Sequence, residues 1–494
     1  MNLIARSAER WRWMIVALIL LIAAFAIRVV QFGNPMIQVD ENFYLLVGDR
    51  MWRGALPYVD IWDRKPIGLF LIYAAIRLLG GDGILQYQIV ATLFAAGTAF
   101  VIARIAVRMA GITAATVAAI LYILLIGLVG GSGGQAPVFY NLLVAGGGLL
   151  TLKAFETDDP ARIRRLGCLT MLLLGLALQI KYTVLFEGVF FGLALVWRSW
   201  RGSGRVGRPA VDALLWIGIA LLPTALALAY YAARGHADAF IYANFLSIGE
   251  RSSDPQSEVM KRLGHAWISI HLPMIAVLLA VVLEPWRAFA RGTTTFGFAI
   301  AWLGAAIVGY LIFGSYFDHY VLPLFVPMAV VIAPLFTCRR KYIGVFAAGF
   351  LLLSGAIAYQ LTAHGLQKKR GNRQVAEAVA KAIRPRLTNC LYVYDGDSIF
   401  YYLTNSCLPG RYPFPAHLNL QRESRAIGID PVAEVRRIMA ERPSVIVDHV
   451  PHDDDLNPAA LAIVGAELNR SYRLAATFPL KSTAILVYER RKDR

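Results

Sequence analysis

KPIGLFLIYAAIRLLGGDGILQYQIVATLFAAGTAFVIAR, residues 65–104, holds two apolar runs of unequal length. How they are read decides the course of the whole chain. The first, 67–79, is 13 residues long, whereas a helix needs about 20 to cross a bilayer. That length suits a helix lying along the interface. The second, 84–103, is long enough to span, and Arg104 and Arg108 follow it. If both runs crossed, these arginines would face outward, against the preference of Lys and Arg for cytoplasmic loops. The segment therefore reads as one interfacial helix and one span.

The rest of the chain alternates around that choice. Helix 1, residues 13–30, follows Arg6, Arg10 and Arg12. It is too long for a signal-peptide core, and no small-residue cleavage site follows it. Its N-terminal side is read as cytoplasmic. Further spans are expected at 113–129, then in a run returning to Lys153, and at 167–180, 183–197 and 213–231. Four more follow: a run ending at Glu284, then 296–313, 321–336 and 345–361. Cytoplasmic turns fall at Arg162, Arg164 and Arg165, in the basic loop 198–208, at Arg287 and Arg291, and at Arg339, Arg340 and Lys341. The fold class is thus an all-α polytopic transmembrane bundle of about eleven helices. Lipid offers no partner to a backbone amide, so such runs must be helical.

Composition agrees. The 494 residues are 57% hydrophobic and 16% charged, against about 25% charged in a soluble domain. The formal charge of +17 sits mostly in short loops between apolar runs, and no basic-aromatic module for nucleic acid appears. After Thr362 the character changes. Helical patterns at 372–383, 431–440 and 458–468 alternate with strand patterns at 391–394, 445–447 and 483–488. A C-terminal soluble α/β domain is expected over 365–494, after a transmembrane domain over 1–364 with an outer loop, 32–83, that carries interfacial helices. The parity of the spans puts the α/β domain outside. Cys390 and Cys407 fall within it, where a disulfide can form; two buried free thiols are the alternative. Cys168 and Cys338 fall near the cytoplasmic side.

The first outer segment concentrates acids, bases and aromatics: Asp40-Glu41-Asn42-Phe43-Tyr44, then Pro57-Tyr58-Val59-Asp60-Ile61-Trp62-Asp63-Arg64-Lys65-Pro66. A carboxylate at the membrane surface can take a proton from an attacking hydroxyl. Arg64 and Lys65 can hold a lipid phosphate. Tyr58 and Trp62 suit the headgroup layer. The plainer reading is a solvated interfacial cluster with aromatic anchors.

The Asp-Glu pair after helix 1, followed by Pro-Tyr-x-Asp-x-Trp-Asp-x-Lys-Pro before a short apolar helix, resembles the GT-C class of membrane glycosyltransferases. It is most similar to the branch of the protein O-mannosyltransferases and lipid A aminoarabinose transferases. The resemblance implies transfer of a sugar from a polyprenyl-phosphate donor to a glycan, lipid or protein acceptor, in a bacterial inner membrane. Asp40 then becomes the catalytic base. Lys65, with Arg64, lies near the donor phosphate. Tyr58, Trp62 and Asp63 are candidates for acceptor or sugar contacts. Glu41 either orients the acceptor or holds a divalent cation, although no metal-ligand spacing stands out. The family often has Lys-Pro-Pro where this chain has Lys65-Pro66-Ile67. Three further places belong to the same picture. Lys181, between two spans, is a donor-binding or a snorkelling lysine. Asp318-His319-Tyr320 precedes Leu322-Pro323, so His319 or Tyr320 is a phosphate or sugar contact, or Asp318 is a plain helix cap. The stretch 242–262, with Asn244, Glu250, Arg251, Asp254 and Lys261, is a loop that covers the site or is simply solvated. A transporter or lipid flippase is the alternative function. Against it, no repeat relates the two halves, and ionisable residues are nearly absent from mid-membrane positions. A scaffold whose outer domain recruits a partner is the third reading.

Overall fold

The structure, a computed structural model, describes residues 3–203, 207–338, 341–452 and 454–491. Arg339, Arg340 and part of the basic loop 198–208 lie outside the described residues. In chain order come α1 (Leu3–Arg28), α2 (Val39–Met51), α3 (Ile67–Arg77), α4 (Ile84–Leu128), α5 (Ala136–Phe155), α6 (Pro160–Leu178), α7 (Leu185–Ser203) and α8 (Gly207–Ala233). Then follow α9 (Ala237–Ile241), a π-helical turn (Tyr242–Leu246), α10 (Ser247–Glu250), α11 (Gln256–Leu283) and α12 (Gly292–Phe313). Next are a 3₁₀ segment (Asp318–Leu324), α13 (Phe325–Ile332) and α14 (Lys341–Arg370). The C-terminal region is built from α15 (Arg373–Ile383), β1 (Leu391–Val393), α16 (Ile399–Thr404), α17 (Ala416–Asn419), α18 (Pro431–Ala440), β2 (Val445–Val450), α19 (Pro458–Ser471), β3 (Tyr472–Pro479) and β4 (Ala484–Arg490).

Among the described residues nine helical segments are long and apolar enough to cross a membrane. The chain is an integral membrane protein. One of the nine, α4, is two helices joined at Gly111, whose backbone (φ +66°, ψ 168°) is non-helical. The spans expected at 84–103 and 113–129 are therefore one continuous run with a glycine break. Between α5 and α7 lies α6, with Arg162, Arg164 and Arg165 in its first turns. The eleven helices expected from the sequence thus have counterparts. The short run 67–79 is α3, of 11 residues; at 1.5 Å per residue it cannot cross a core of about 30 Å. The span expected at 321–336 is not one α-helix. Pro323, Pro327 and Pro334 each remove an amide donor, and 3₁₀ segments flank α13.

The chain divides into two compact units. The first comprises residues up to 32, 88–226 and 256–362. Its helices approach closely at small residues, as membrane helices do where lipid gives no hydrophobic drive for association. A Cβ at Gly175 would lie 2.5 Å from the Ala220 carbonyl, and one at Gly167 would lie 2.2 Å from the Trp216 ring. The second unit comprises 33–87, 227–255 and 363–494. Its sheet has the order β1-β2-β4-β3, with β1 parallel to β2 and the remaining pairs antiparallel. Tyr392, Ile446, Val435, Ile438 and Val464 form its core. Asn372, Asp430 and Asn457 cap the helices that follow them. Cys390 and Cys407 are joined in a disulfide, with Cα atoms 5.0 Å apart. Cys168 and Cys338 are free.

The stretch 242–262 is not a loop. Apart from residues 251–255 it is helical, and its charges are engaged. Arg251 pairs with Asp254 at 3.0 Å and with Glu423 at 2.7 Å. Glu250 accepts from the Tyr242 phenol at 2.6 Å.

Candidate functional site

The acidic pair opens α2, a helix buried from Glu41 to Gly48. Acids are favoured in a first helical turn, where they meet the unpaired N–H groups. Their two side chains differ. Asp40 is half-buried, while Glu41 is fully buried close to Tyr73 of α3, whose phenol burial and then Glu41 push to a higher pKa. Asp40 and Tyr44 stand four residues apart and so share a helix face. Burial, then Asp40 and Asp63, hold the Tyr44 phenol in its protonated form. Lys65 reaches the same ring, its Nζ 5.9 Å from the centroid. Asp40, Asp63 and Lys65 are thereby gathered round the ring of Tyr44.

The segment 57–66 is fixed by its own hydrogen bonds. Tyr58 has a φ of +70°, a strained conformation for a bulky residue, costing about 1–3 kcal/mol. It is held by a hydrogen bond from its amide to the Ile61 carbonyl (2.7 Å) and one from its phenol to the Lys65 carbonyl (2.9 Å). Asp63 accepts the Lys65 amide at 2.7 Å, and its other oxygen lies 3.7 Å from His417 Nε2. Lys65 Nζ is 3.8 Å from Asp63.

Tyr58 and Trp62 are both buried within the protein. Tyr58 is 1% exposed, against Phe70, Tyr231 and Phe240. Trp62 is 2% exposed, within the core of the α/β domain, with its ring 4.7 Å from that of His417. The apolar area of an aromatic ring, worth a few kcal/mol when buried, outweighs the interfacial preference once a domain core is within reach. Arg64 follows Trp62 into that region. Its guanidinium binds Glu423 at 2.6 Å, and burial, which raises the Glu423 carboxyl, is overcome by Arg64 and Arg251, which bring it down to about 2.

The residues that sequence reasoning missed gather at the start of α2. Asn42 donates to both oxygens of Asp397, at 3.0 and 2.9 Å. Burial pushes the Asp397 carboxyl up to about 6, against the Ile399 amide, Arg370 and Asn42. Arg370 donates to Gln38 Oε1 at 3.2 Å, at the N-cap of α2. The separation of more than 300 residues hid these partners. Tyr44 could have been found, since its i, i+4 spacing from Asp40 is visible in the sequence.

Lys181, His319 and Tyr320 belong to the other unit, and there they meet. Lys181 is 6% exposed, with Nζ 3.8 Å from the centroid of Tyr320, a cation–π contact. The His319 and Tyr320 centroids are 4.8 Å apart. Asp318 is not the helix cap: Phe317 holds that position, without a side-chain bond. Arg28, buried at the end of α1, donates from Nε to Thr92 (3.0 Å) and from Nη2 to the Gly133 carbonyl (2.8 Å). A buried cation at the end of a span is a functional signal, and Arg28 stood in plain view inside the first apolar run. Among the described residues no three His, Cys, Asp or Glu side chains are grouped to hold a metal ion.

No protein-family model and no curated relative matches the sequence. Solved structures do. ArnT from Cupriavidus metallidurans, in its apo state, superposes with a TM-score of 0.61 at 16% identity, over 98% of each chain. The same protein bound to undecaprenyl phosphate gives 0.57 at 15% identity, over 96% of this chain and 97% of that one. The oligosaccharyltransferase AglB from Archaeoglobus fulgidus, in complex with an inhibitory peptide and a dolichol-phosphate, gives 0.51 at 12% identity, over 89% of this chain and 69% of that one. At such identities the likeness is one of fold. The chain has the GT-C fold, a membrane helix bundle with a C-terminal α/β domain.

Proposed function

We propose that the chain is a membrane glycosyltransferase. It moves a sugar from a polyprenyl-phosphate donor to a hydroxyl of a lipid, polysaccharide or protein at the outer face of a bacterial inner membrane. The N-terminus of the chain faces the cytoplasm and the α/β domain lies outside, a topology supported by the basic loops. The observation that carries the proposal is the position of Asp40. It is a half-exposed acid in the first turn of α2, just ahead of the stretch buried from Glu41 to Gly48; it lies on the same face as Tyr44, and Lys65 reaches the same ring. The fold shared with proteins whose structures contain undecaprenyl phosphate or dolichol-phosphate adds support.

Asp40 accepts the proton of the acceptor hydroxyl as its oxygen attacks the anomeric carbon. The bond from that carbon to the phosphate oxygen breaks on the opposite side, and its electron pair leaves with the polyprenyl phosphate. Lys65 meets the charge that develops there. One displacement inverts the anomeric centre and needs no glycosyl-enzyme. Arg64, bound to Glu423, is the weaker candidate of the two cations. Lys181, over the ring of Tyr320, is the candidate for donor binding in the membrane unit.

Kinetics of two variants test the assignment. Asp40→Asn cannot take the proton and lowers turnover by about 10²–10⁴-fold, with donor affinity kept. Lys65→Ala weakens donor affinity first. Near-wild-type turnover by Asp40→Asn would overturn the role of Asp40.

A further inference from the structure

Between the C-terminal ends of α18 and α19 and the end of β4 lies a cavity of about 630 Å³. Five arginines line it, Arg436, Arg442, Arg470, Arg490 and Arg491, against a single acid, Glu467. Basic residues at helix C-termini are ordinary, because each end carries about half a negative charge. Two such ends and Glu467 offset about two of the five positive charges. A surplus of about three remains.

The arginines are not all engaged in holding the domain together. Arg470 binds Glu467, and Arg491 gives its Nε to the Tyr472 carbonyl at 2.9 Å. On α18 it is Arg437 that pairs with Glu434 and Glu441, while Arg436 and Arg442 form no ion pair among the described residues. Tyr472, which lines the cavity, donates its phenol to the Pro443 carbonyl at 2.7 Å. Burial pushes that phenol up to about 12, and Arg490 and Arg442 pull the other way, so both guanidinium groups lie near it. Met439 and Ile463 supply apolar wall.

We infer that the α/β domain has a binding site of its own here, for a ligand that carries phosphate. Guanidinium forks match phosphate oxygens in pairs. A phosphate monoester brings about −1.5 to −2 at neutral pH, which suits the surplus better than a lone carboxylate does. The volume leaves room for a sugar-sized body beside the charge. The phosphate monoester comes from a soluble phosphorylated sugar or from the headgroup of a lipid such as phosphatidic acid, and the monoester is the chemistry they share.

The inference does not pass through sugar transfer, and its test does not either. Full-length protein is placed in nanodiscs of phosphatidylcholine and titrated calorimetrically with inorganic pyrophosphate. Saturable binding is expected. Arg436→Gln with Arg442→Gln weakens it by about tenfold or more, the effect of losing charge-assisted hydrogen bonds. Arg473→Gln leaves it unchanged, since that arginine, next to Tyr472 in β3 and paired with Glu489, is not among the lining residues. In discs containing phosphatidic acid, an apparent affinity lowered by competition marks a lipid headgroup as the source, and an unchanged one marks a soluble ligand. No saturable binding by the wild type, or equal affinity in the double variant, would overturn the site.

Discussion

The two sides of the segment 57–66 lead to different surroundings. One side carries Trp62 and Arg64 into the α/β domain, where Glu423, Arg251 and His417 close around them. The other side presents Lys65 and Asp63 to Tyr44 and the acidic start of α2. Arg64 and Lys65 are neighbours in sequence, both cationic, and both fitted on paper for a phosphate. The structure separates them at a bend, where Asp63 accepts the Lys65 amide at 2.7 Å. Adjacency within a motif therefore does not make two residues partners in one task. Arg64 is bound to a buried carboxylate, while Lys65 stands 3.8 Å from Asp63 with 26% of its side chain exposed.

That contrast can be broken by substitution. The largest effect is expected on the core side. Glu423→Ala leaves Arg64 and Arg251 without their shared carboxylate, and removing one member of a buried pair costs about 3–5 kcal/mol. Hydrogen exchange at the β1 and β2 amides should accelerate accordingly. Lys65→Ala should leave exchange there unchanged. Equal acceleration by both variants would erase the distinction between the two sides.

A smaller effect concerns pH. Burial, more than any charge, lowers the His417 pKa from 6.5 to about 4. As pH falls, the unfolded chain takes up this proton first, so stability present above 6.5 is lost toward 4. Between pH 8 and pH 5 the loss is about 2 kcal/mol. His417→Phe keeps the ring contacts with Trp62 and Phe43 and should remove this part of the pH dependence. A wild type and variant with parallel stability profiles would show that His417 takes up its proton at the same pH folded and unfolded.

Smaller again is the effect of the link between α2 and the loop after β1. Asp397→Asn leaves Asn42 one carbonyl oxygen in place of a carboxylate. Turnover should fall by about tenfold, the equivalent of one charge-assisted hydrogen bond, with donor affinity unchanged. A fall in affinity alone would place Asp397 elsewhere in the account.

Much of this was legible in the sequence. Run lengths and basic loops separated α3 from α4, and the helix α18 was found to the residue, since Asp430 and Pro431 mark its start and apolar spacing its course. The segment around Asp40 and Lys65 was found because its acids, bases and aromatics are dense and local. What failed was long-range. Nothing near Trp62 says that a domain core more than 300 residues on will bury it. Asn42 and Asp397, or Arg64 and Glu423, become partners only once the chain has folded back. The turns at 237–250 were read as loop because α9, α10 and the π segment are each too short to show a period. β3 was missed because its burial alternates weakly, with most of its residues partly or fully exposed.

The central claim is that the cluster around Tyr44 transfers sugar from a polyprenyl-phosphate donor. The direct measurement is release of polyprenyl phosphate by purified protein in nanodiscs, offered a panel of polyprenyl-phosphate sugars with and without hydroxyl acceptors. The account predicts acceptor-dependent release from at least one donor, a product of inverted anomeric configuration, and loss of that release in Asp40→Asn. Release with retained configuration, or the same release from Asp40→Asn as from the wild type, would contradict it.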